Sequence, residues 1–120
     1  MNPHKPYEVS ARAFIFACDV IRTFPRSKLD PASMKVWSQL IAAATSTGAH
    51  LEEANAGGSR AQFLALVRGA LREMRESNYW LRIMTATQLA GYDRVALLVE
   101  ESRELVAILT SIARNTDRNR

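Results

Sequence analysis

The residues best placed to do chemistry are the arginines between positions 60 and 82. On a helix turning about 100° per residue, Arg72 lies at about +40° from Arg68, Arg75 at about −20° and Arg82 at about −40°. The four therefore share an arc of about 80°, and Tyr79 falls inside it at about +20°. Arg60 stands at the head of the same segment. A row of guanidiniums at helical rise, with one aromatic among them, can track a phosphate backbone or grip acidic residues of a neighbouring subunit. It can equally be a solvated face carrying i,i+4 partners such as Arg72–Glu76. Arg60, Arg68, Arg72, Arg75, Tyr79 and Arg82 are thus the candidate binding residues, with RNA, DNA or a protein as partner.

Catalytic chemistry finds little footing. The histidines are His4 and His50, and neither has a cysteine or second histidine nearby in a metal-ligand pattern. Di-metal helical bundles use Glu-x-x-His pairs; His50 is followed by Glu52 and Glu53, which is the wrong spacing. An enzyme or metal centre would have to rest on His50, Glu53 and Glu73 without the required ligand spacing. No nucleophile–base pair, phosphate-cradling glycine loop or Cys-x-x-Cys occurs. The single cysteine, Cys18, cannot form an intrachain disulfide, and its apolar run Ala13–Cys18 reads as buried. The expectation is a non-enzymatic protein with no catalytic residue, no metal and no cofactor.

The elements that must carry the arginine row are helices. No proline follows Pro31, and the chain has only 5 glycines, so long helices are permitted. The first helix is expected from Glu8 to Phe24, with Tyr7, Ala11, Phe14, Cys18 and Ile21 as its buried stripe and Pro25 as its stop. Asp30-Pro31 reads as N-cap plus first-turn proline of a second helix. Met34, Trp37, Ile41, Ala44, Gly48 and Leu51 share one side of it, and its small-residue middle suggests close helix approach around Gly48. Gly57-Gly58 ends that helix, and Ser59 with Gln62 forms a capping box for the next. The third helix, expected from about Arg60 to Leu89, buries Phe63, Val67, Ala70, Met74, Ser77, Leu81 and Met84. Leu64 and Ile83 lie off that stripe near the arginine side, and Trp80 lies away from both. Gly91 reads as its C′ residue and Asp93 as N-cap of a fourth helix whose stripe is Leu98, Ser102, Leu105, Leu109 and Ile112.

Connections this short make neighbours antiparallel, so the expected fold is all-α, an up-down-up-down four-helix bundle forming one domain over 1–120, with 1–7 and 115–120 as flexible tails. Hydrophobic residues make up 48% of the chain, enough for a core. They also include large side chains on several faces, more than one monomer's core can take, which favours self-association. The net charge of +4 is compatible with acidic or nucleic-acid partners without requiring them. No apolar stretch is long enough to span a membrane and the first residues lack a signal-peptide form, so a cytoplasmic protein is expected.

The centre of the chain carries an ordered set of residues: Gln39-Leu40, Ala43-Ala44, Ser46, His50-Leu51-Glu52-Glu53-Ala54, Gly58-Ser59-Arg60, Phe63 and Gly69-Ala70-Leu71-Arg72-Glu73. This layout resembles the small four-helix-bundle proteins encoded in intervening sequences of bacterial large-subunit ribosomal RNA genes, a group related to the accessory variability determinant of diversity-generating retroelements. The positions that carry the resemblance are Gln39, Ser46, His50, Glu53, Gly58, Arg60, Phe63, Gly69 and Glu73. The family's two basic residues after Gln-Leu are here Ile41 and Ala42, its Asn is His50, and its Gly before the turn is Ala54. The resemblance implies a ring-like homo-oligomer, pentamers being known in the family. It also implies nucleic acid and a reverse transcriptase as partners of the retroelement member. Its support is stronger for the fold than for any nucleic-acid contact.

Overall fold

A computed structural model describes residues 6–118. Four helices run α1 (Pro6–Thr23), α2 (Pro31–Asn55), α3 (Arg60–Thr87) and α4 (Ala96–Arg118), with a short 3₁₀ turn at Tyr92–Arg94. Each helix packs on its chain neighbours and α4 returns to α1, so α1 and α3 sit on opposite corners of an up-down-up-down bundle. Residues 115–118, expected in a tail, continue α4. His4 and the side chain of Tyr7 lie outside what is described.

The boundaries follow local chemistry. Asp30 caps α2 by accepting from the Ser33 N–H at 2.8 Å, and Pro31 occupies the first turn, where no N–H is needed. The Asp30 carboxyl is held below its ordinary range, first by the Ser33 backbone N–H and then by the Ser33 hydroxyl. Gly57 and Gly58 both take positive φ, and the Ser59–Gln62 capping box forms in both directions, at 2.9 and 3.1 Å. At the far end the expectation needs correction. Gln88, at φ 54°, is the left-handed residue that closes α3, with the Leu89 N–H reaching the Met84 carbonyl at 3.1 Å. Gly91 instead lets the turn fold tightly over Trp37: a Cβ there would lie 2.9 Å from Trp37 Cζ2. The Trp37 indole N–H donates to the Ala90 carbonyl at 2.7 Å, locking this turn to α2. Asp93 sits within the 3₁₀ turn and is not the residue that opens α4.

The core stripe of α3 is as the periodicity implies: Val67, Ala70, Met74, Ser77, Leu81 and Met84 are buried and Phe63 half-buried. Leu64 joins the core and does not sit outside it, because the stripe is wide enough to serve both α2 and α4. The stripe on α1 is the opposite of the one expected. Ala11, Phe14 and Ile21 face outward and Cys18 is only half-buried, while Val9, Ala13, Phe16 and Val20 enter the core. Both stripes recur at threes and fours, so periodicity alone cannot choose between them. The polar residues decide. The Ser10 hydroxyl donates to Glu52 of α2 at 2.9 Å, and Arg12 donates to both carboxylate oxygens of Glu101 of α4 at 2.6 and 3.0 Å. These bonds turn the Phe16 side inward.

On α2 the buried face is Ser33, Val36, Trp37, Leu40, Ala43, Ala44, Thr47, Leu51 and Ala54, wider than expected because two helices press on it. Met34 is exposed, and Ile41 only half-buried. Gly48 is not the site of close approach: a Cβ there would meet nothing within 4 Å. The tight glycine is Gly69 of α3, whose added Cβ would stand 3.3 Å from the His50 ring of α2.

Candidate functional site

The arginine row lies where the wheel places it, on the solvent side of α3. Arg68, Arg72, Arg75, Tyr79 and Arg82 are all exposed, and Arg60 is exposed at the helix start. Helix α4 packs beside this face, so the row forms one wall of a seam. Three hollows follow one another along it. The first is lined by Arg60, Phe63, Asn115 and Thr116. The second, of about 370 Å³, is lined by Arg68, Leu71, Arg72 and Arg75 from α3 and Thr110, Ala113, Arg114 and Asp117 from α4. The third is lined by Arg75, Asn78 and Arg82 against Arg103 and Val106.

Arg103 and Arg114 were not apparent from the α3 pattern. They are eleven residues apart, which on a helix is three turns and about 20° of rotation, and that spacing was the available signal. The floor of the seam is pinned by a short relay. The Asn78 amide donates to the Ser102 hydroxyl at 2.9 Å, and Arg82 Nε donates to Asn78 Oδ1 at 2.8 Å.

Charge compensation in the seam is thin. Arg68 lies 3.5 Å from Asp117, and Arg103 pairs with Glu100 of its own helix. Among the described residues Arg72 does not pair with Glu76, and neither Arg72 nor Arg75 forms an ion pair; the i,i+4 contact on this face is the Arg82–Asn78 hydrogen bond. Tyr79 is 48% exposed; its ring makes a T-shaped contact with that of Trp80, centroids 5.2 Å apart, and the Arg82 guanidinium lies over it, 5.8 Å from its centroid.

A second unusual surface lies on the opposite corner of the bundle. Phe14 is 64% exposed on α1 and Leu97 83% on α4, with Ile15 and Ile21 also outward. These residues border two grooves beside α1. Phe14, Cys18 and Ile21 line one with Gly48 and Glu52 of α2; Ile15 and Asp19 line the other with Leu97 and Glu101 of α4. Glu101 is also the main reason that the Arg12 guanidinium is held more strongly protonated than usual.

The positions that carry the family resemblance do not form a catalytic cluster. His50 packs on Gly69 across the α2–α3 seam, with its Nδ1 buried and without a hydrogen-bond partner. Gln39, Ser46, Phe63 and Glu73 are half-buried, and Glu53, Gly58 and Arg60 are exposed around the α2–α3 turn. Among the described residues no group of three or more His, Cys, Asp and Glu side chains comes together to hold a metal ion. No described helix is long and apolar enough to cross a membrane.

The model of the 23S rRNA-intervening sequence protein family matches residues 5–111. The fold is similar to the crystal structure of a protein of unknown function from the S23 ribosomal protein family of Bacteroides thetaiotaomicron, with a TM-score of 0.77 and 24% identity over 92% of this chain and 99% of that one. At that identity the likeness speaks for the fold alone. No curated protein matches the chain.

Proposed function

The chain belongs to the 23S rRNA-intervening sequence protein family, and from that premise we propose that it is a non-enzymatic, cytoplasmic scaffold that works as a homo-oligomer, a pentameric ring being the form the resemblance implies. The observation that carries this reading is the set of outward apolar side chains on either side of α1, Phe14 and Ile21 toward α2 and Ile15 with Leu97 toward α4. Side chains of this size on adjoining helix surfaces favour burial against another copy. Light scattering at micromolar concentration should give a multiple of the 13.4 kDa chain mass, and Phe14→Glu with Leu97→Glu should dissociate it. A stable monomer of the unmodified chain would rule the scaffold out.

The seam between α3 and α4 supports a second activity, nucleic-acid binding through Arg68, Arg72, Arg75 and Arg82, with Arg60, Arg103 and Arg114 beside them. Arg72 and Arg75, which form no ion pair among the described residues, are available to phosphates. Affinity should fall steeply with salt, and Arg72→Gln with Arg75→Gln should flatten that dependence. Binding that ignores salt would reject it.

A further inference from the structure

We infer that the arginine row of α3 is built for a single strand of nucleic acid, with Tyr79, which stands on the row beside the α3–α4 hollows and does not line them, as the platform on which one unstacked base lies. The inference rests on the nucleic-acid reading above and adds the class of strand. The row from Arg68 to Arg82 is straight, about 21 Å long at 1.5 Å per residue, and lies on one helix. Tyr79 stands within it, about 6 Å of rise beyond Arg75 and about 4.5 Å before Arg82.

The ring is set up for contact. Trp80, packed against the core, makes a T-shaped contact with it, and the Arg82 guanidinium lies over the ring, 5.8 Å from its centroid. Nearly half the residue is exposed. A duplex keeps its base faces stacked inside and shows such a ring only base edges, sugar and phosphate. A single strand can turn a base onto it while the flanking phosphates reach the arginines before and after.

The test is fluorescence anisotropy of the full chain with labelled oligouridylate and with an RNA duplex of equal length, across a salt series. The single strand should bind tighter. Tyr79→Ala should weaken it about ten-fold, within the range of base–aromatic stacking, and leave duplex binding unchanged. Tyr79→Phe should restore the single-strand affinity. Tyr79→Ala should not alter the salt slope, whereas Arg75→Gln should reduce it by about one. Thermal melts of each variant report whether the fold is intact. If the duplex binds as well, or Tyr79→Ala weakens both equally, the single-strand inference falls and the nucleic-acid reading stands. If neither binds at low salt, that reading fails and takes this one with it. If polyglutamate displaces the oligonucleotide as effectively as unlabelled RNA does, the seam belongs to an acidic protein partner.

Discussion

Gly48 and Gly69 both lie inside helices, and alanine at the two positions should have different effects. In an open helix interior the exchange gains about 1 kcal/mol, because alanine has less backbone freedom to lose. At Gly48 the new methyl meets nothing within 4 Å. Gly48→Ala should therefore keep nearly the whole gain, which for a chain of 120 residues raises Tm by about 4 °C. At Gly69 the methyl would stand 3.3 Å from His50 Cδ2 and Nε2, inside the ordinary contact distance of about 3.5–4.0 Å. The ring must retreat a few tenths of an ångström along a packed seam, at a cost of about 1 kcal/mol, typical of mild overpacking. The two effects cancel, so Gly69→Ala should be close to neutral. In a His50→Ala background the obstacle is gone and the same exchange should gain about 1 kcal/mol, giving a coupling energy of that size. Urea denaturation at one fixed protein concentration measures the unmodified chain and all four variants, since self-association adds a concentration-dependent term. Equal gains at Gly48 and Gly69 in the unmodified background, or no coupling between Gly69 and His50, would refute the packing argument.

Three other predictions concern the helix starts. The Asp30 carboxyl titrates below its ordinary range when folded, so its contribution is fully present above the unfolded value and is lost as pH falls through the folded one. The stability difference between the chain and Asp30→Asn should therefore shrink as pH drops below the ordinary aspartate range; urea midpoints across an acid series would contradict this if the difference stayed constant. Ser59→Ala removes the acceptor for the Gln62 N–H and should cost about 0.5–2 kcal/mol, read from the same denaturation curves. Gln62→Ala breaks the return bond to the Ser59 N–H and should also destabilise, by about 0.5–1.5 kcal/mol, the worth of one intramolecular hydrogen bond.

Where helices begin and end is largely decided by signals that span three or four residues. Asp30-Pro31, Gly57-Gly58 and Ser59–Gln62 satisfy or interrupt backbone groups locally, so each acts as its residue types imply. The same holds for the arginine row, because exposed residues at threes and fours on one helix need only that helix to be aligned. The α3–α4 turn was less legible. Its left-handed residue is Gln88, held by the Leu89 bond to Met84, and Gly91 answers to Trp37, a residue far away in the chain.

Which face of a helix turns inward is settled by its neighbours. Helix α1 carries two apolar stripes, and its sequence ranks the one with Phe14 and Ile21 as high as the one with Phe16 and Val20. The bonds from Ser10 to Glu52 and from Arg12 to Glu101 join residues 42 and 89 positions apart, and only the assembled bundle brings them together. The same assembly sets Arg103 and Arg114 of α4 opposite the α3 row and converts a stripe into a seam. Local hydrogen-bonding chemistry is written in short segments, whereas the choice between two equally greasy faces depends on contacts whose energy exists only after folding.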